Sequence, residues 1–222
     1  MARLPRLAVA GESHYVILRG LGTPPLFADA SDRAAFLAAL REAAAGTLQV
    51  HAYALGDAEV ALLVTPAEAG ALGRTMQALG RRYVASYNRR HGRSGPLWAG
   101  RFRAAPVEAG RDRLDVLRLV DGTPAPLTSA AGRLGAARDA LRVDPPEFWS
   151  LGNTPFEREA AYRALQGEPL APERVAALRR AALGGWPIGS PAYLQRLAAA
   201  TDRPLRPRPR GRPKRVAAPA AT

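Results

Sequence analysis

From position 74 to position 103 the chain reads RTMQALGRRYVASYNRRHGRSGPLWAGRFR, and this stretch orders everything around it. Its first part has a helical period. At about 100° per residue Met76, Leu79, Tyr83, Val84 and Tyr87 fall on one stripe, while Arg74, Arg81, Arg82 and Arg89 fall on the opposite side. Gly92 is placed to stop the helix, with Arg89, Arg90 and His91 in the last turn, where cations suit the macrodipole. A glycine-punctuated loop follows, carrying Arg93, Trp98, Arg101, Phe102 and Arg103. Between Ala69 and Val107 there are 39 residues without an Asp or Glu, and eight of them are Arg. A guanidinium-faced helix running into an Arg/aromatic loop has the makings of a polyphosphate-binding surface, with rings able to stack on unpaired bases. A solvated basic face is the plainer alternative, and the lack of any acid weighs against it.

With 222 residues the chain is long enough for one or two domains and a core of useful size. Its net charge of +13 favours nucleic acid or another anionic surface over small neutral metabolites. There is no cysteine, hence no disulfide framework and no thiolate metal site. No signal-peptide-like or membrane-length apolar run is present, so a soluble, cytoplasmic, nucleoid-associated protein without a membrane partner is expected. Oligomeric state has no signal in the sequence.

Outward from the basic helix the elements come in a regular order. His14–Arg19 alternates and is rich in β-formers; Ser31 and Asp32 are candidate N-caps for a helix over 32–45. Leu48–Leu55 and Glu59–Thr65 read as strands joined at Gly56-Asp57. The basic helix, about 71–91, and a strand over Phe102–Val107 follow. Strand, helix, two strands, helix, strand is a split βαβ pattern, so the fold class is α+β, a ferredoxin-like core with an antiparallel sheet. That core spans residues 1–127. A helix near 111–120 falls at the end of that core, and helical segments near 157–165, 172–183 and 191–200 make residues 128–201 a helical C-terminal region. Residues 202–222 alternate arginine with proline, have little to bury and are expected to be disordered and extended. Within them Arg210-Gly211-Arg212-Pro213 resembles the AT-hook, which implies insertion of Arg210 and Arg212 into the minor groove of A/T-rich DNA.

Several phrases along residues 3–125 resemble the REP-associated tyrosine transposases, within the HUH single-strand DNA transposases. They include GESHYVILRG at 11–20, HAYAL at 51–55, LLVTP at 62–66, MQALGRRY at 76–83, YNRR at 87–90 and GPLWAGRF at 95–102. The resemblance implies a partner, single-stranded or hairpin DNA, and a role in DNA transposition or repeat-hairpin binding. It also implies a His-x-His pair on a central strand holding Mg or Mn, and a tyrosine on a later helix that attacks the phosphate. This chain departs at those positions. The two histidine positions fall on Glu59 and Ala61, and the tyrosine position on Leu119. A methyl group ligates nothing, and one carboxylate does not make a divalent site. No catalytic residue, metal or cofactor is therefore expected, and the expected function is DNA binding with the cleavage chemistry lost. The expected contacts are Arg74, Arg81, Arg82 and Arg89 on the helix, Arg93, Trp98, Arg101 and Arg103 on the loop, and Arg210 and Arg212 on the tail.

Two alternatives stay open. An active transposase could use a rearranged site built from Glu59, His51 or Asp57 and Tyr83 or Tyr87. An RNA-binding module could use a ferredoxin-like sheet as a platform, although Tyr15, Tyr53 and Phe102 occur singly on their strands. His14 and His51 are expected to be hydrogen-bonded structural residues, and Tyr83 and Tyr87, on the apolar stripe, to be buried.

Overall fold

The structure, a computed structural model, describes residues 6–207. Strand β1 (Ser13–Arg19) leads into helix α1 (Ala30–Ala44), then β2 (Leu48–Leu55), β3 (Glu59–Pro66), helix α2 (Ala71–Arg90) and β4 (Arg103–Val107). The strand order β4-β1-β3-β2, with antiparallel neighbours, is the ferredoxin-like arrangement, and a two-residue strand β5 (Leu127–Thr128) extends the sheet beyond β2. In the central pair Ile17 lies opposite Ala61 and Arg19 opposite Glu59.

Alternation along the strands sends side chains to two faces. Val16, Leu18, Leu55, Leu62 and Val64 meet α1 and α2 on the first face. Tyr15, Ile17, Ala54, Ala61, Leu63 and Ala105 meet the second layer of helices. That layer comprises α3 (Arg111–Asp121), the single turns α4 (Ala130–Arg133) and α5 (Pro146–Trp149), α6 (Pro155–Gly167) and α7 (Pro172–Gly184). Helix α8 (Pro191–Ala199) closes a small third cluster, with Tyr193 and Leu197 against Leu7. Both faces of the sheet are thus covered.

Helix α1 starts two residues earlier than its sequence suggests. The N-cap is Asp29, not Ser31 or Asp32: the Asp29 carboxylate accepts from the Asp32 N–H at 3.0 Å, and the Asp32 carboxylate reaches back to the Ala28 N–H at 2.9 Å. Between them the two aspartates satisfy the N–H groups of residues 28 and 32 at the helix start. Helix α6 starts on a full capping box, with Thr154 and Glu157 exchanging side-chain and backbone hydrogen bonds.

Candidate nucleic-acid interface

Packing decides which side of α2 is left for a ligand. Met76, Leu79, Tyr83 and Tyr87 are buried against α1 and the sheet, and this turns the arginine side outward. The eight arginines of the acid-free window do not share one fate. Arg90 is bound by Asp29 and Asp32, and its hydrogen bonds hold the Asp29 carboxyl well below the usual range. Arg82 pairs with Glu42 of α1 at 2.7 Å, and Arg74 pairs with the exposed Glu68. Arg93 donates to Asn88 Oδ1 at 2.9 Å and sits near the Tyr87 ring, which fixes the start of the loop. Arg81, Arg89, Arg101 and Arg103 are exposed and, among the described residues, enter no ion pair.

The loop after α2 is fastened to the end of β1. Leu21 N–H donates to Leu97 O at 3.0 Å and Ala99 N–H to Arg19 O at 2.9 Å, so residues 97–99 continue the sheet edge. Leu97 is fully buried. Trp98, expected as a ring for base stacking, is half-buried instead: its indole packs on Tyr83 at 6.2 Å and Phe36 at 6.4 Å between ring centres. It props α2 against the loop and shows only part of its surface. Phe102 is likewise occupied, with the Arg6 guanidinium 3.9 Å above its ring.

Two cavities open along this seam and share Arg6, Gly100, Arg101 and Phe102 in their walls. One, of about 700 Å³, lies between α2 and the loop, with Arg74, Arg81 and the shared Arg6 and Arg101 around an apolar floor of Leu18, Met76 and Trp98. The other, of about 450 Å³, lies where the loop meets the end of α7, with Arg19, Arg103 and Arg203 added to the shared pair. No carboxylate lines either cavity. Burial, and after it the charges of Arg101 and Arg103, push the Arg6 guanidinium below its ordinary pKa, the mark of an uncompensated positive field. Two glycines of α2, Gly73 and Gly80, border the larger cavity. A Cβ at Gly73 would meet nothing within 4 Å, and one at Gly80 would meet the Trp98 indole in ordinary contact, Nε1 at 3.6 Å. Internal packing requires neither glycine, although each costs a helix interior about 1 kcal/mol relative to alanine.

On the other face, Glu59 and Ala61 stand two residues apart on β3, Leu119 of α3 packs against the apolar cluster that holds Ala61, and the chemistry of all three is closed. Glu59 is held by Arg19 Nε at 3.2 Å and by Arg179 of α7 at 2.8 Å. Ala61 is buried, and Leu119 packs on the same cluster. Two guanidiniums already neutralise the one carboxylate, and no group of three His, Asp or Glu side chains able to hold a metal ion occurs among the described residues. This donor set does not fit a divalent cation.

The groups of the rearranged-site alternative are also engaged. Tyr83 Oη donates to Leu26 O at 2.5 Å and Tyr87 Oη to Pro25 O at 3.0 Å, both facing inward; burial raises the pKa of each. His51 is bound on both ring nitrogens, by Val143 O and Thr65 Oγ1, each at 2.7 Å. Asp57 pairs with Arg33 at 2.5 Å. With both sheet faces covered, Tyr15 and Tyr53 are buried and the described residues offer no open sheet platform of the kind an RNA-binding module needs. Arg210, Arg212 and the AT-hook-like segment lie outside the described residues.

Sequence reasoning missed Arg6, Arg19 and Arg203. They come from three distant segments and meet only in the fold.

No family model matches the chain, and no curated protein matches it. Among solved structures it is similar to a REP-associated tyrosine transposase bound to a REP hairpin. The TM-score is 0.52 at 8% sequence identity, and the match covers 65% of this chain and 99% of the other. The likeness is one of fold.

Proposed function

We propose that the protein binds DNA, in single-stranded or hairpin form, along the seam between α2 and the 97–103 loop, and that it does not cleave the strand. The observation that carries this is the pair of adjoining cavities walled by arginine and free of carboxylates. Their arginine walls, continuous along the loop, suit a phosphodiester chain, and the open glycine positions on α2 let a backbone come close. The structural neighbour is itself described as bound to a REP hairpin, which supports a hairpin as the partner. Absence of cleavage is supported by the locked state of Glu59, the methyl group at Ala61 and the inward hydroxyls of Tyr83 and Tyr87. On this reading the protein serves DNA transposition or repeat-hairpin binding as a binding component, and Arg210 and Arg212 add minor-groove contacts.

The test is binding of a labelled hairpin over a salt series, followed by a denaturing gel with Mg²⁺ or Mn²⁺. The double change Arg81→Glu with Arg101→Glu should weaken binding and flatten the log–log salt dependence by roughly 0.7–0.9 of a unit per lost phosphate contact. Unchanged affinity and slope would remove the groove from the proposal, and a covalent protein–DNA adduct would remove the absence of cleavage.

A further inference from the structure

We propose that the smaller cavity, between the 99–103 loop and the C-terminal end of α7, is a phosphate pocket with Arg203 as its clamp, receiving one nucleotide phosphate of the strand bound along α2. This rests on the DNA reading above and adds to it a defined subsite.

Arg203 is half-buried and, among the described residues, has no carboxylate partner. Its Nη2 donates to Gly185 O at 2.6 Å, which caps the end of α7, but its Nε and Nη1 are buried and meet no acceptor. The guanidinium sits 5.5 Å over the Trp186 ring, so its plane is held. Gly185 is the left-handed C-cap of α7, at φ +71°, and a Cβ there would crowd Arg203 Nη2 at 3.2 Å. A planar fork at the cavity wall, with one arm used and two donors unpaired, carries the chemistry that holds a tetrahedral oxyanion. Burial alone lowers the Arg203 pKa, since nothing nearby stabilises its charge.

The surroundings agree. Arg6, Arg19, Arg101 and Arg103 share the cavity wall, and Ile17, Ala104 and Leu183 add apolar surface. A volume of about 450 Å³ lies within the range of about 300–1,000 Å³ found for small-ligand clefts. That is room for a phosphate and the sugar it carries. Structural capping of α7 explains one of the three guanidinium nitrogens; it does not explain why the other two are desolvated without partners.

The experiment uses the full chain and three variants: Arg203→Gln, Arg203→Lys, which keeps a cation for the Gly185 carbonyl but loses the fork, and Arg101→Gln, an exposed position whose loss cannot disturb folding. Arg203→Gln and Arg101→Gln are each expected to weaken hairpin binding about tenfold and to lower the salt slope by about one contact, and Arg203→Lys should fold normally yet bind more weakly than the parent. Hairpins with a 5′-phosphate, a 3′-phosphate or neither separate the sources: discrimination lost in Arg203→Gln assigns a strand end, and uniform weakening assigns an internal phosphate. Equal affinity and slope in Arg203→Lys and Arg101→Gln would overturn the pocket. If the parent binds no DNA, the broader function fails, and pyrophosphate titration by thermal shift judges the pocket alone. Stabilisation of the parent but not of the Arg203 variants would sustain it, and no stabilisation would end it.

Discussion

The two faces of the sheet are built by different means. The first is an apolar and aromatic contact between large side chains: Phe27, Phe36, Tyr83 and Trp98 interlock at 5.1–6.4 Å between ring centres, mostly edge to face. The second face is paved by Ala52, Ala54, Ala61 and Ala105, which lets helices approach closely, and it is fastened by charge. Arg133, wholly buried, bonds Asp121, Asp144 and the His51 carbonyl, and Tyr162 and Ser129 complete the shell of Asp121. Trimming a hydroxyl from the ring face costs one hydrogen bond. Removing one partner of the buried ion network leaves the other charged and dry.

The largest expected effect tests that contrast directly. Arg133→Met keeps the volume and removes the charge, and should cost about 3–5 kcal/mol by urea unfolding. A cost under about 1 kcal/mol would show that the network is not what holds the second face.

Next comes a pH effect that both faces share, since each side of the sheet buries a neutral histidine. His14, with the strand parity of Val16, accepts from Val9 N–H and bonds Glu12 O, and burial pushes its pKa from 6.5 to about 4. His51, near Arg133, is lowered in the same direction, again mainly by burial. A histidine whose folded pKa is depressed binds fewer protons folded than unfolded, so its contribution is full above pH 6.5 and declines as pH falls toward 4. Between pH 7 and pH 5 His14 alone should cost the protein about 2 kcal/mol, and His14→Gln should lose correspondingly less over the same interval in parallel denaturations.

Tyr83→Phe probes the aromatic face with a smaller change. It removes only the hydroxyl bond to Leu26 O and should cost about 1 kcal/mol, far less than Arg133→Met. The smallest effect has the opposite sign. Gly73→Ala should stabilise the fold by about 0.5–1 kcal/mol, because the methyl meets nothing, while weakening hairpin binding at the α2 groove. Stabilisation with unchanged binding would place the strand elsewhere on α2.

The first face was legible in the sequence because its signals are local. The stripe Met76, Leu79, Tyr83, Tyr87 and the alternation of Tyr15, Val16, Ile17 and Leu18 fix which side of each element is buried. The second face was legible only as separate helices. What joins them is a salt bridge between Arg133 and residues 12 and 11 positions away, closed by a carbonyl at His51, and a lone arginine among alanines and glycines carries no local sign of that. The candidate site divides in the same way. Arg81, Arg89, Arg101 and Arg103 were readable from an acid-free window; the loss of Arg82 and Arg90 to Glu42, Asp29 and Asp32 was not, since those acids belong to α1. The partial burial of Trp98 was not readable either, since an aromatic in a glycine loop looks fully free until Phe36 and Tyr83 are placed beside it.

Ala61 has a consequence for the history this sequence can have. It is 3% exposed, inside a close-packed layer with Leu178 and Ala182 of the covering helix. A histidine there would overpack that layer, at about 1–3 kcal/mol, before any second ligand existed to make use of it. Glu59 would also have to abandon two arginines. Single substitutions toward a divalent site at Glu59 and Ala61 therefore lead uphill from here unless the α7 layer loosens first.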